Sequence, residues 1–142
     1  MKIYLAIDPG RDKCGLAVLT ETGEVLARMR CESAELQQTV LALAAQYRPG
    51  LCLLGNGTGS KNFAKVLREV LHKSDNCDIM TVDETATTEA ARRLYWQYNP
   101  PTGWRRLLPL SLLVPPEPVD DWAAVALARR WLEKKFIPQA GD

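Results

Sequence analysis

Four acidic residues stand at the edges of regular elements in this 142-residue sequence. Asp8 closes the apolar run that begins at Ile3, Glu84 follows Ile79-Met80-Thr81-Val82, and Asp120-Asp121 opens an amphipathic stretch running to Leu132. Strand ends are where side chains leave the packed interior while rigid backbone still holds them, so acids distant in sequence can meet there. Converging carboxylates repel one another unless divalent cations neutralise them, and oxygen donors suit Mg²⁺ or Mn²⁺. Two such ions about 3.5–4 Å apart activate a water and stabilise the departing oxygen in hydrolysis of a phosphodiester. Asp8, Glu84, Asp120 and Asp121 are therefore the candidate catalytic residues and metal ligands, with Asp8 as the bridge between the ions. Each acid also has a plainer use. Asp120 and Asp121 suit a helix N-terminus, Glu84 suits a nearby helix dipole, and Asp8 before Pro9-Gly10 suits a turn.

The second chemical signature is basic and aromatic. From Ala90 to Pro116 there is no acid, while Arg92, Arg93, Arg105 and Arg106 fall among Tyr95, Trp96, Tyr98 and Trp104. Guanidinium groups pair with phosphates and aromatic faces stack unpaired bases, the combination that grips single-stranded or splayed nucleic acid. Arg92, Arg93, Trp104, Arg105 and Arg106 are the candidate nucleic-acid contacts, with Lys13 in the first hairpin and Lys61 beside a glycine-rich turn. Against this, Trp96 and Tyr98 also suit a core, and Leu107 to Val114 suits a cover over a sheet edge or a subunit interface.

The elements that must position these groups follow from periodicity. Ile3 to Asp8, Cys14 to Leu19 and Glu24 to Cys31 read as strands joined at Pro9-Gly10 and Thr22-Gly23, the third alternating Val25, Ala27 and Met29 against Arg28 and Arg30. Ser33 is the expected N-cap of a helix that stops at Pro49-Gly50. Leu51 to Leu54 reads as a strand covered on both faces, and Ile79 to Val82 as another, with helices after each and a last one from Asp120. Six prolines between Pro100 and Pro118 exclude long regular structure there. The expected architecture is α/β: a mixed five-stranded sheet, three antiparallel strands first with the first strand central, and helices on both faces. Residues 1–137 make one domain and 138–142 a frayed tail.

Composition narrows the setting. The formal charge is +1, so any hold on a polyanion comes from local clusters of Lys and Arg. No apolar run has the length of a signal sequence or a membrane span, and the expectation is a soluble, cytoplasmic protein with no membrane partner. Cys14, Cys31, Cys52 and Cys77 form no C-x-x-C pair and suit reduced, buried thiols better than zinc. The single histidine, His72, leaves no basis for a Ser-His triad.

With these residues in place the sequence resembles the YqgF/RuvX group of RuvC-like nucleases in the RNase H-like superfamily. Ile7-Asp8-Pro9-Gly10 with Gly15-Leu16-Ala17-Val18 is similar to that group's opening hairpin, and Leu54-Gly55 before Gly57-Thr58-Gly59-Ser60 to its glycine-rich turn. Val82-Asp83-Glu84-Thr85-Ala86-Thr87-Thr88 resembles the segment whose Glu is the second metal ligand. Val119-Asp120-Asp121-Trp122-Ala123-Ala124 resembles the helix start whose Asp is the third. Gly55-Asn56 stands where RuvC has its second acid, which here follows the fifth strand as in YqgF. Thr85 stands where the family has Arg, removing a phosphate contact. Asp120 fits the YqgF pattern, and the paired acids of RuvC keep Asp121 in the set.

The resemblance implies a magnesium- or manganese-dependent hydrolase, an endonuclease or exonuclease acting on structured or precursor RNA or on branched DNA. Ribosomal RNA processing is the role it favours, a Holliday-junction-resolvase-like DNA endonuclease is the alternative, and a homodimer is left open. A non-catalytic nucleic-acid-binding module on the same fold is the competitor from another class, permitted by Thr85. An actin-like phosphotransferase, suggested by Asp8-Pro9-Gly10, would need a second domain.

Overall fold

The computed structural model describes residues 2–57, 60–74, 77–83 and 87–136. Five strands, β1 (Ile3–Asp8), β2 (Lys13–Thr20), β3 (Val25–Glu32), β4 (Leu51–Gly55) and β5 (Asp78–Val82), form one sheet in the order β3-β2-β1-β4-β5. The first three are antiparallel neighbours, and β4 and β5 add in parallel to β1. This is the expected mixed sheet with β1 at its centre.

Alternation along the strands sorts their side chains to two faces. Leu5, Ile7, Leu16, Val18, Cys52 and Leu54 point to one face, covered by α1 (Leu36–Tyr47) and α2 (Ser60–Ser74). Ala6, Ala17, Leu19 and Leu53 point to the other, covered by α3 (Thr87–Tyr98) and α4 (Asp120–Phe136). On that face Ala6, Ala17 and Gly15 are small, which lets the first turns of α4 lie close to the sheet. Burial of these two clusters is the main source of stability, since apolar area removed from water contributes roughly 25 cal/mol per Å².

One local detail differs from expectation. Ser33 opens a 3-10 turn (Ser33–Glu35) and caps nothing; its hydroxyl donates to the Gly10 carbonyl oxygen at 2.9 Å. Helix α1 stops before Pro49-Gly50 as expected, with its C-cap Arg48 in the left-handed conformation (φ 49°). Cys14, Cys52 and Cys77 are buried free thiols and Cys31 is half-buried. Burial pushes the Cys52 thiol well above its ordinary value, with the neighbouring Cys77 adding to the effect. Among the described residues no helix is long and apolar enough to cross a membrane.

Candidate functional site

Asp8 is the last residue of β1 and half-buried. Tyr4 and Ala6 face α4, so the two-residue period places Asp8 on that same face. Its cross-strand partner is Gly15. A Cβ on Gly15 would lie 1.8 Å from the Asp120 carbonyl oxygen and 2.6 Å from the Asp121 nitrogen. The first turn of α4 therefore rests directly on the strand beside Asp8, and only glycine admits it. That turn is closed by the Ala123 N–H donating to the Val119 carbonyl oxygen at 2.8 Å, which puts Asp120 and Asp121 at the positive end of the helix dipole.

The loop after Asp8 is fixed as well. A Cβ on Gly10 would meet the Lys13 carbonyl oxygen at 2.2 Å, while the Ser33 N–H donates to the Asp12 carbonyl oxygen at 2.8 Å. Ile7 pairs with Leu54 and Gly55 with Val82, and the Asn56 N–H donates to the Val82 carbonyl oxygen at 3.0 Å. Strands β1, β4 and β5 thus finish at one end of the sheet. Glu84 and Thr85 lie outside the described residues, as do residues 137–142 and the His72 side chain.

The two consecutive acids of α4 have different surroundings. Asp120 is half-buried. Asp121 turns toward β3, where the Arg28 Nη1 donates to its Oδ2 at 2.7 Å and only 9% of its side chain remains accessible. Among the described residues its buried Oδ1 has no hydrogen-bond partner. The Arg28 guanidinium also lies 3.8 Å from the Trp122 ring centroid, and Trp122 stacks on Tyr98 at 4.9 Å. Arg30 donates to the Pro118 carbonyl oxygen at 3.1 Å, tying the approach to α4 onto the same strand. A cleft of about 730 Å³ opens beside this contact, lined by Lys13, Arg28, Arg30, Glu32, Glu117 and Asp121.

Among the described residues no three His, Cys, Asp or Glu side chains form a group that could hold a metal ion. Asp8 and Asp120, which meet Gly15 from the neighbouring strand and from α4, both carry carboxylate oxygens, while the thiol of Cys14 points to the opposite face. That donor chemistry fits a hard ion such as Mg²⁺ or Mn²⁺.

The basic and aromatic candidates separate by burial. Lys13 and Lys61 are exposed, at the start of β2 and in the first turn of α2, and Arg92 and Arg93 are exposed on α3. Trp104, Arg105 and Arg106 lie in a second 3-10 turn (Gly103–Leu107); Trp104 is 66% exposed, with the Arg105 guanidinium 5.5 Å from its ring centroid. Tyr95 and Trp96 are instead core residues between α3 and α4, and among the described residues the Trp96 Nε1 has no partner. Leu107, Leu112 and Val114 remain exposed, at 81% for Leu107, so within this chain they do not serve as the expected cover over a sheet edge. Arg28 was not among the sequence candidates, because its alternation with Met29 marks only a solvent-facing position.

Residues 2–92 match the family described as the Tex protein YqgF-like domain, a span that includes Asp8 and Glu84 and ends before α4. No curated protein matches the sequence. Among solved structures, RuvC of T. thermophilus in complex with a Holliday junction substrate superposes with a TM-score of 0.61 at 15% identity, over 95% of this chain and 96% of that one. The fowlpox virus Holliday junction resolvase does so with a TM-score of 0.64 at 11% identity, over 94% and 99%. At these identities the likeness is one of fold, and the fold is RNase H-like.

Proposed function

The chain belongs to the Tex protein YqgF-like domain family, and from that membership we propose that it is a metal-dependent nuclease that hydrolyses phosphodiester bonds in structured or precursor nucleic acid. The observation that supports this reading is the seating of the first turn of α4 on Gly15, the cross-strand partner of Asp8, which brings the backbone of the α4 acids to the strand end that carries Asp8.

Asp8, Glu84 and Asp120, with Asp121 beside Asp120 in sequence, would hold two Mg²⁺ or Mn²⁺ ions. Bound there, such ions supply an activated water and charge neutralisation at the leaving oxygen. The chain's own residues orient and grip. Asp8 is fixed by β1 and by the Ser33–Gly10 hydrogen bond behind it. Lys13 and Lys61 take phosphates near the cut, Trp104 stacks an unpaired base, and Arg92, Arg93, Arg105 and Arg106 neutralise the flanking backbone.

Processing of ribosomal RNA precursors is the role we favour, following the family resemblance, in a cytoplasmic setting that suits four free thiols. A junction-cutting DNA endonuclease is the second reading, supported by the near-complete overlap with two proteins whose own names are those of Holliday junction enzymes. Leu107, Leu112 and Val114 form apolar surface that a second copy would cover, and sedimentation of the wild type against Leu107→Asp tests that pairing.

The test of function is cleavage of labelled structured RNA, single-stranded DNA and a four-way junction in Mg²⁺, Mn²⁺ or EDTA. Cleavage that requires metal identifies the nuclease and its substrate class. Binding without cleavage in either metal identifies a binding module.

A further inference from the structure

Two adjacent acids at the start of α4 invite the reading that both bind metal, and the structure separates them. Asp121 is buried and already paired, its Oδ2 2.7 Å from the Arg28 Nη1. Arg28 is held in turn by the Trp122 ring, 3.8 Å from the guanidinium carbon. Strand β3 thereby grips two consecutive residues of α4 with one side chain, and Arg30 grips the Pro118 carbonyl just before them. Helix residues one apart project about 100° from each other, so fixing Asp121 toward β3 fixes the direction of Asp120 as well. The backbone of Asp120 is meanwhile pressed on Gly15, next to Asp8.

Resting on the nuclease reading above, we infer that Arg28 and Asp121 are positioning residues, a strand-to-helix clamp that sets the first turn of α4 so that Asp120, and not Asp121, serves as the metal ligand. A guanidinium is suited to this use because it is flat, permanently charged and able to stack and donate at once. The salt bridge turns Asp121 toward β3, on the far side of β2 from Asp8, so to meet an ion held at Asp8 its carboxylate would have to swing away from Arg28. The clamp also explains why a helix whose first turn carries two carboxylates can present a single defined oxygen donor.

The test is Mn²⁺ binding without substrate, measured by electron paramagnetic resonance, together with amide exchange in the first turn of α4. Asp120→Asn should abolish binding. Asp121→Asn keeps an acceptor for Arg28 and should cost about threefold in affinity, the effect of one uncompensated charge at the edge of the site. The paired change Arg28→Met with Asp121→Leu removes the clamp without stranding a charge, and such apolar replacements usually keep stability. It should retain the wild-type melting temperature yet weaken Mn²⁺ by about tenfold, as lost outer partners of a metal site do, and should speed exchange at Asp121 to Ala123. The inference is overturned by Asp121→Asn losing Mn²⁺ as completely as Asp120→Asn, or by the paired variant binding as wild type. Failure of the nuclease reading looks different: the wild type itself would neither bind Mn²⁺ nor cleave, and the clamp would fall with it.

Discussion

The carbonyl oxygen of Asp120 occupies the space where any other residue at position 15 would carry its Cβ, 1.8 Å from that point. Gly15→Ala must therefore push α4 off β2, at the place where Asp8 lies across the strand pair. Overpacking of this kind costs about 1–3 kcal/mol, and with backbone as the obstacle we expect the upper end. Urea denaturation reads the loss of stability. A parallel loss of Mn²⁺ affinity is expected from the displaced helix, whereas Gly50→Ala, where a Cβ meets nothing within 4 Å, should leave metal binding unchanged.

Trp96 and Trp104 should behave oppositely. Trp96 is buried, and among the described residues its Nε1 has no partner. Trp96→Phe removes that unsatisfied donor along with some apolar area, so the net change should stay within about 1 kcal/mol, while Trp96→Ala costs about 3–5 kcal/mol. Neither should alter nucleic-acid affinity beyond what unfolding explains. Trp104 is mostly exposed, and Trp104→Ala should leave the melting temperature in place and weaken single-strand binding by about 1–3 kcal/mol.

Arg105 and Arg106 are exposed in the same turn. If they meet phosphates, replacing each by Ala lowers the slope of log affinity against log salt by about 0.7–0.9 per contact. Fluorescence anisotropy across a salt series measures it. An unchanged slope would remove them from the interface.

Cys52 couples stability to alkaline pH. Burial holds its thiol protonated in the folded protein, while in the unfolded chain it ionises around its ordinary value of 9.0. Above that pH the unfolded state releases a proton that the folded state keeps, so stability falls as pH rises, by about 1.4 kcal/mol per pH unit from this group. Denaturation midpoints between pH 8 and 10 should show the fall, and Cys52→Ala should flatten it.

Much of the fold was legible because its signals are local. The alternation of Val25, Ala27 and Met29 with Arg28 and Arg30 appears in β3 as expected, and the apolar run Leu51 to Leu54 is a strand buried on both sides. The contacts that organise the candidate site are not local. Arg28 and Asp121 are 93 residues apart, and nothing in either neighbourhood distinguishes an arginine facing water from one facing a helix terminus. Ser33 has the sequence context of a helix cap, yet its hydroxyl finds a carbonyl across the first hairpin. Trp96 and Trp104 both lie in the acid-free stretch rich in Arg and aromatics, yet Trp96 packs into the core between α3 and α4 while Trp104 stays exposed.

The central claim, that carboxylates at the sheet end perform metal-dependent cleavage, is tested most directly by comparing the wild type with Asp8→Asn in single-turnover cleavage under Mn²⁺. The account predicts a rate lower by about a thousandfold, several kcal/mol of barrier, with nucleic-acid affinity and melting temperature close to wild type. Cleavage by Asp8→Asn at the wild-type rate would contradict it.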